Sequence, residues 1–202
     1  ANNNWYDLVS RTGFSQAHNL AFNGAALGAD YRFAVNFREV NGIAQKSSFD
    51  QINASFNFQR PLQKGKGKLE GLFAVNTRNT NQVNPDIFRN AAVMNPTAPI
   101  FDSNSPTGTY YQPQVFALFN PLGILNLQNF EDTHQTITSG LNLELTLLKG
   151  IKGKVQGAFQ HNEDGYGAVI ANQGIFGTQS AVSWEERKLS HWFMDAQLQG
   201  DW

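Results

Sequence analysis

Apolar and polar residues alternate with a period of two along much of this chain. In the longest clear run, Ile137, Ser139, Leu141, Leu143, Leu145 and Leu147 share one parity, while Thr136, Thr138, Gly140, Asn142, Glu144 and Thr146 share the other. A period of two predicts a strand with two different faces. Its length carries further information. A half-buried strand in a soluble sheet needs about 5–6 residues, whereas a tilted strand crossing a bilayer needs about 9–11. Shorter runs repeat the pattern: Leu20 and Phe22; Tyr31, Phe33, Val35 and Phe37; Ile52, Ala54, Phe56 and Phe58; and Leu69, Gly71, Phe73 and Val75. After Leu148-Lys149-Gly150 a strand returns through Val155 and Phe159, and in a last strand Trp192, Met194, Ala196, Leu198 and Trp202 mark one parity. About seven strands are predicted in all.

The connections between them differ in length in an ordered way. Short turns are expected at 28–30, 61–67 and 148–151, and long connections at 40–47, 78–132 and 161–183. Alternating short and long connections suit an up-and-down membrane barrel, with short turns on one side of the bilayer and long loops on the other. The stretch 78–132 loses its periodicity, carries many Asn and Pro residues, and includes "MNPTAPIFD" and "TGTYYQP". In a compact soluble domain such a loop would be unusually long. The expected fold is therefore all-β: a partial transmembrane antiparallel up-and-down barrel over residues 18–202, entered through residues 1–17. It is partial because an open edge in lipid would leave backbone groups unpaired at several kcal/mol each, which makes this chain a piece of a larger wall. Tyr31, Phe159, Trp184, Trp192 and Trp202 are candidates for an aromatic girdle at the interfaces.

Composition fits that picture. Charged residues make up 15% of the 202 residues and aromatic ones 12%, led by 16 Phe, against about 25% charged in ordinary soluble domains. The mean hydropathy is nevertheless −0.39, as expected where one face is apolar and the other neutral and polar. A net charge of −1 provides no global field for nucleic acid. Without cysteine there is no disulfide framework, thiol nucleophile or Cys-based zinc site. No run approaches the ~18 apolar residues of a membrane-spanning helix, and "ANNNWYDLVSRTGF" does not read as a signal peptide, so any export signal lies outside this sequence.

Candidate chemistry is sparse. His18, His134, His161 and His191 show no metal-ligand spacing. "HNEDGYG" offers Asn162, Glu163 and Asp164 as oxygen ligands but lacks the spaced acids of a calcium loop, and reads as a solvated turn. "GKGKLEG" lacks the phosphate-loop pattern and reads as a basic turn. No nucleophile elbow is present, so neither an enzyme nor a cofactor is expected. The long connection is the natural place for recognition. Its Phe88, Arg89, Tyr110 and Tyr111 offer rings and a guanidinium for a sugar or a peptide backbone; packing of the loop on itself or on a partner is the competing role.

Three stretches carry a family resemblance. "WYDLVSRTGFSQAHNLAFNGA", then "YRFAVNFREVNGIAQKSSFDQINASFNF", and later "RNAAVMNPTAPIFD" resemble the SusC/RagA-like TonB-dependent outer-membrane transporters. In that family a similar "RTGF-Q-HN" stretch leads from the plug into the barrel, a "Y-R-NY-EQEGI"-like hairpin follows, and an "NPTAP-YD" motif lies in a long extracellular loop. "GAALGAD" and "FREVNGI" depart from the usual turn and hairpin. The resemblance implies an upstream plug, a TonB-contacting segment, further strands downstream and a SusD-like surface lipoprotein. It also implies import of oligosaccharides or peptides across a Gram-negative outer membrane. A passive porin and a secreted carbohydrate-binding β-sandwich are the alternatives that strand periodicity leaves open.

Overall fold

In a computed structural model the described residues are 2–62, 66–104, 109–171 and 180–200. Trp202, Lys64 and parts of the two long connections lie outside them. Seven strands form one antiparallel sheet in sequence order: β1 (Phe14–Ala26), β2 (Ala29–Asn41), β3 (Ser48–Leu62), β4 (Gly67–Gln82), β5 (Gln128–Leu148), β6 (Ile151–Ile170) and β7 (Ala181–Gly200). Three short helices accompany them: α1 (Trp5–Val9), α2 (Asp86–Val93) and α3 (Pro121–Leu127). Each strand pairs only with its sequence neighbours, so the sheet is an up-and-down meander with β1 and β7 at its edges.

The pairing register aligns the apolar parity of every strand into rows running across the sheet. Phe22, Phe33, Phe56, Phe73, Ser139, Phe159 and Trp192 form one such row, each paired with the next. Leu20, Val35, Ala54, Val75 and Ile137 form the row nearer the long connections, and Phe58, Gly71, Leu141, Gly157 and Met194 the row nearer the short turns. On β5 the apolar rows run from Ile137 to Leu147, about 34 Å along the strand at about 3.4 Å per residue. With a strand tilt near 40° this gives a belt about 26 Å tall, close to the apolar band of a transmembrane barrel. The belt is uncovered: Phe22 is 57% exposed and Trp192 81%. A contiguous apolar face of this extent belongs against lipid, not water. The opposite parity is the inward face.

A β-sandwich would bury these rows between two sheets. Here there is one sheet, and every buried hydrophobic residue among those described lies outside its strands. The sandwich is thereby removed. Of the rings proposed for a girdle, Phe159 and Trp192 sit in a row inside the belt. Trp184 lies farther along the outward face, where its ring covers the Cβ positions that Gly165 and Gly167 leave vacant.

The strands extend beyond the apolar alternation. β4 continues through Arg78 to Gln82 and pairs with β5 from Phe130, which narrows the expected 78–132 connection to residues 83–127. Likewise β6 runs through 161–170, and the connection before β7 is confined to 171–180. "HNEDGYG" is thus strand and not a solvated turn. Asn162 and Asp164 face inward and Glu163 outward, so the three do not converge on a cation. Beyond the belt the hydrogen-bond ladder persists while both faces meet polar surroundings, so hydrophobic periodicity ends before the strand does. The first turn also shifts from 28–30. Leu27 (φ 54°) and Gly28 (φ 73°) are its centre, and Ala29 and Asp30 already belong to β2. Positive φ at both central residues marks the type I′ turn that matches strand twist.

Candidate functional site

The residues preceding β1 and the two connections at the same end of the sheet fold together into a small cap. Its core consists of Trp5 and Val9 from α1, Ala44 from the β2–β3 connection, Ile87, Ala91 and Met94 from α2 and its C-cap, and Ile124 and Leu125 from α3. None of these segments is long enough to bury a core alone; together they enclose Val9 and Ile87 at 0% exposure.

Asparagines join the pieces. Asn120 caps α3, its Oδ1 accepting from the Leu122 and Gly123 amides at 3.0 and 3.2 Å, while its Nδ2 donates to the carbonyls of Ile100 and Tyr111 at 2.9 and 3.1 Å. Pro121 follows at the first helical position, where a missing N–H costs nothing. Asn90 on α2 donates to the Asp86 carbonyl and accepts from the Phe119 amide, both at 2.8 Å, tying α2 to the segment before α3. In the "NPT" turn, Asn95 Oδ1 accepts from the Thr97 amide and hydroxyl at 3.0 and 2.9 Å, which leaves the Asn95 carbonyl to accept from the Trp5 indole at 2.9 Å. Asn3 reaches the same turn, its amide donating to the Pro96 carbonyl and its Nδ2 to the Ala98 carbonyl, each at 2.8 Å. On the other side Arg11 donates to the carbonyls of Gly42 and Ser47 at 3.0 and 2.6 Å, and the Gln45 amide donates to the Val9 carbonyl at 2.9 Å.

The four candidate recognition residues divide between two surroundings. A groove of about 900 Å³ on the cap brings Arg89 and Tyr111 together with Val93, Met94, Val115 and Phe116. Phe116 stands at its rim, 99% exposed, next to Ala117 in the left-handed region at φ 56°. Arg89 is exposed, with its Nε 3.4 Å from Asp86. Phe88 instead packs on the cap core, its ring 5.4 Å from that of Tyr6. Tyr110 packs on Phe101 at 5.2 Å and accepts a hydrogen bond from Asn126 at 2.9 Å. Sequence reasoning missed Trp5, Asn90 and Asn120 as the organisers of this region; the Asn-Pro pairs at 95–96 and 120–121 were the available signal.

Below the cap, the inward face of the sheet is polar and mostly neutral. Asn19, Asn36, Asn53 and Asn76 stand at one level on four successive strands, each joined to the next through its side-chain amide. The row continues to Thr136, whose hydroxyl donates to Asn162 at 3.0 Å. Nearer the short turns lies a cavity of about 870 Å³, lined by Asn23, Arg32, Asn57, Glu70, Asn142 and Phe193. No group of three His, Cys, Asp or Glu suited to a metal ion occurs among the described residues. The arrangement suits contact with a polar solute or protein surface.

No family model matches the chain. The TonB-dependent receptor SusC of Bacteroides thetaiotaomicron is 29% identical over 120 residues, covering 55% of this chain and 12% of SusC. Among solved structures, the RagAB peptide importer in its closed-closed state superposes with a TM-score of 0.66 at 14% identity, covering 93% of this chain and 22% of that one. The seven-strand meander is therefore the fold of a SusC/RagA-like transporter barrel, of which the chain spans a minor part.

Proposed function

Starting from a chain that is a SusC/RagA-like segment of a β-barrel, we propose that it forms part of the wall and the outer cap of a TonB-dependent importer in a Gram-negative outer membrane. The importer takes up a bulky nutrient, an oligosaccharide or a peptide, too large for a passive pore. A SusD-like surface lipoprotein works with it, and TonB acts through regions outside residues 1–202. The observation that carries this reading is the division of one sheet into an outward apolar belt and an inward polar wall, with a folded cap at its long-connection end. A passive porin needs the wall but gives no role to a packed cap with an exposed apolar rim. On the cap, Arg89 and Tyr111 are the residues proposed to meet nutrient or lipoprotein, while Phe88 and Tyr110 support them by packing.

The test uses cells expressing the full-length protein, with the nutrient identified by growth on candidate polymers. Uptake should stop on deletion of the gene and on collapse of the proton-motive force, and a surface lipoprotein should co-purify with the protein. Uptake that continues without a proton-motive force would make it a passive channel.

A further inference from the structure

Trp184 stands apart from the apolar belt. On β5 to β7 that belt ends at the row formed by Ile137, His161 and Ser190. Trp184 lies on the same outward face of β7, six residues farther toward the long connections. Six residues span about 20 Å along a strand, or about 16 Å along the membrane normal at a tilt near 40°. A girdle ring sits at the edge of the hydrocarbon, so Trp184 is well outside the level where lipid tails would meet it. Its seat is made of glycine. Gly165 and Gly167 on β6 lie beneath the indole, whose six-membered ring is 2.9–3.3 Å from where their Cβ atoms would be, so a side chain at either position would push the ring away. The ring is thus held against backbone on one side, while the residue remains 61% exposed.

Carboxylates border the ring. Glu131 on β5 is level with Gly167 and Trp184, and Glu186 follows Trp184 on the same face. Lys188, the nearby cation on that face, is taken by Glu163 at 3.2 Å and Glu186 at 2.8 Å. Three acids against one lysine repel a phosphate, whereas carboxylates accept hydrogen bonds from hydroxyl groups. An apolar ring bordered by such acceptors matches a sugar, which presents C–H groups on one face and hydroxyls around its edge. This part of the outward face is continuous with the lipid-facing belt, and the outer leaflet of a Gram-negative outer membrane is a glycolipid whose core sugars lie beyond its acyl chains and phosphates. From this placement we infer that Trp184, bordered by Glu131 and Glu186, is a docking platform for one core sugar ring of that glycolipid. The inference rests on the outer-membrane reading proposed above. It gives the wall a contact with its own membrane that the solute path does not touch.

The test is native mass spectrometry of the full-length protein in detergent micelles, titrated with rough lipopolysaccharide, which carries lipid A and core sugars, and with lipid A alone. The core sugars should tighten the binding of one molecule by roughly fivefold or more in the wild type, by about twofold in Trp184→Phe and not at all in Trp184→Ala. Heat-modifiable migration on a gel reports that each variant is folded. Four results overturn the platform. The first is equal binding of the two lipids by the wild type, and the second a gain from core sugars that survives Trp184→Ala. The third is competition by lipid-free core oligosaccharide as strong as that of the intact lipopolysaccharide, which would make this a site for soluble sugar. The fourth is a dimer that Trp184→Ala splits, which would put a second copy of the chain on the ring. The import reading fails separately. Uptake that survives deletion of the gene removes import and leaves the gain from core sugars in place, and a missing gain in a working importer does the reverse.

Discussion

Trp5 shows how much of the cap rests on a single side chain. It is 2% exposed, fills the space between α2 and the "NPT" turn, and donates its indole N–H to the Asn95 carbonyl. Replacing it with alanine removes both the apolar volume and the donor. Trp5→Ala should destabilise the cap by about 3–5 kcal/mol, the usual cost of emptying a core of a large aromatic. Because no strand residue contributes to that core, amide exchange should accelerate in α2 and α3 and stay unchanged in β2 to β6. Equal acceleration in cap and strands would mean that the two are one cooperative unit.

Elements show where sequence and structure agree and where they part. The first hairpin places Leu27 at φ 54°, a conformation that costs a leucine roughly 1 kcal/mol and that asparagine tolerates. Leu27→Asn should therefore raise stability by about 0.5–1 kcal/mol in a urea refolding titration; no gain would mean that the leucine side chain finds a compensating contact. On β5, Leu143 faces outward and adjacent Asn142 inward, where its amide donates to Glu70 at 2.8 Å. Leu143→Arg should cost about 2–4 kcal/mol near the bilayer midplane, whereas Asn142→Arg, beside an acidic partner, should cost far less. Equal costs would contradict the facing. The same feature makes these strands legible in sequence: lipid on one side and a wet interior on the other impose a period of two that no loop imitates. The strand ends were not legible, since from Arg78 to Gln82 the ladder continues with polar residues on both faces. Nor was the cap, because its core is assembled from α1, Ala44, α2 and α3, segments too short to show a helical period and separated in sequence by the strands β1 to β4. Of the four recognition candidates, chemistry alone suggested all; packing places Arg89 and Tyr111 on the groove, Phe88 on the cap core beside Tyr6, and Tyr110 against Phe101.

At the scale of the whole molecule, one sheet serves two solvents. Its outward rows match the thickness of a bilayer, its inward rows offer amides, hydroxyls and a few placed charges, and its cap sits at the end where the connections are long. On the proposed importer reading, the sheet edges at β1 and β7 pair with further strands of the same barrel, as lipid requires of any spanning sheet. In such a wall the apolar parity faces lipid. The most direct measurement places single spin labels, through introduced cysteines, at successive positions from Ile137 to Leu147 of the full-length protein in liposomes. Each label is then exposed to oxygen, which concentrates in lipid, and to a water-soluble nickel chelate. Oxygen access should peak at 137, 139, 141, 143, 145 and 147 and drop at every residue between them. Uniform access to the nickel chelate along the run, or oxygen access without a period of two, would contradict the membrane-spanning wall.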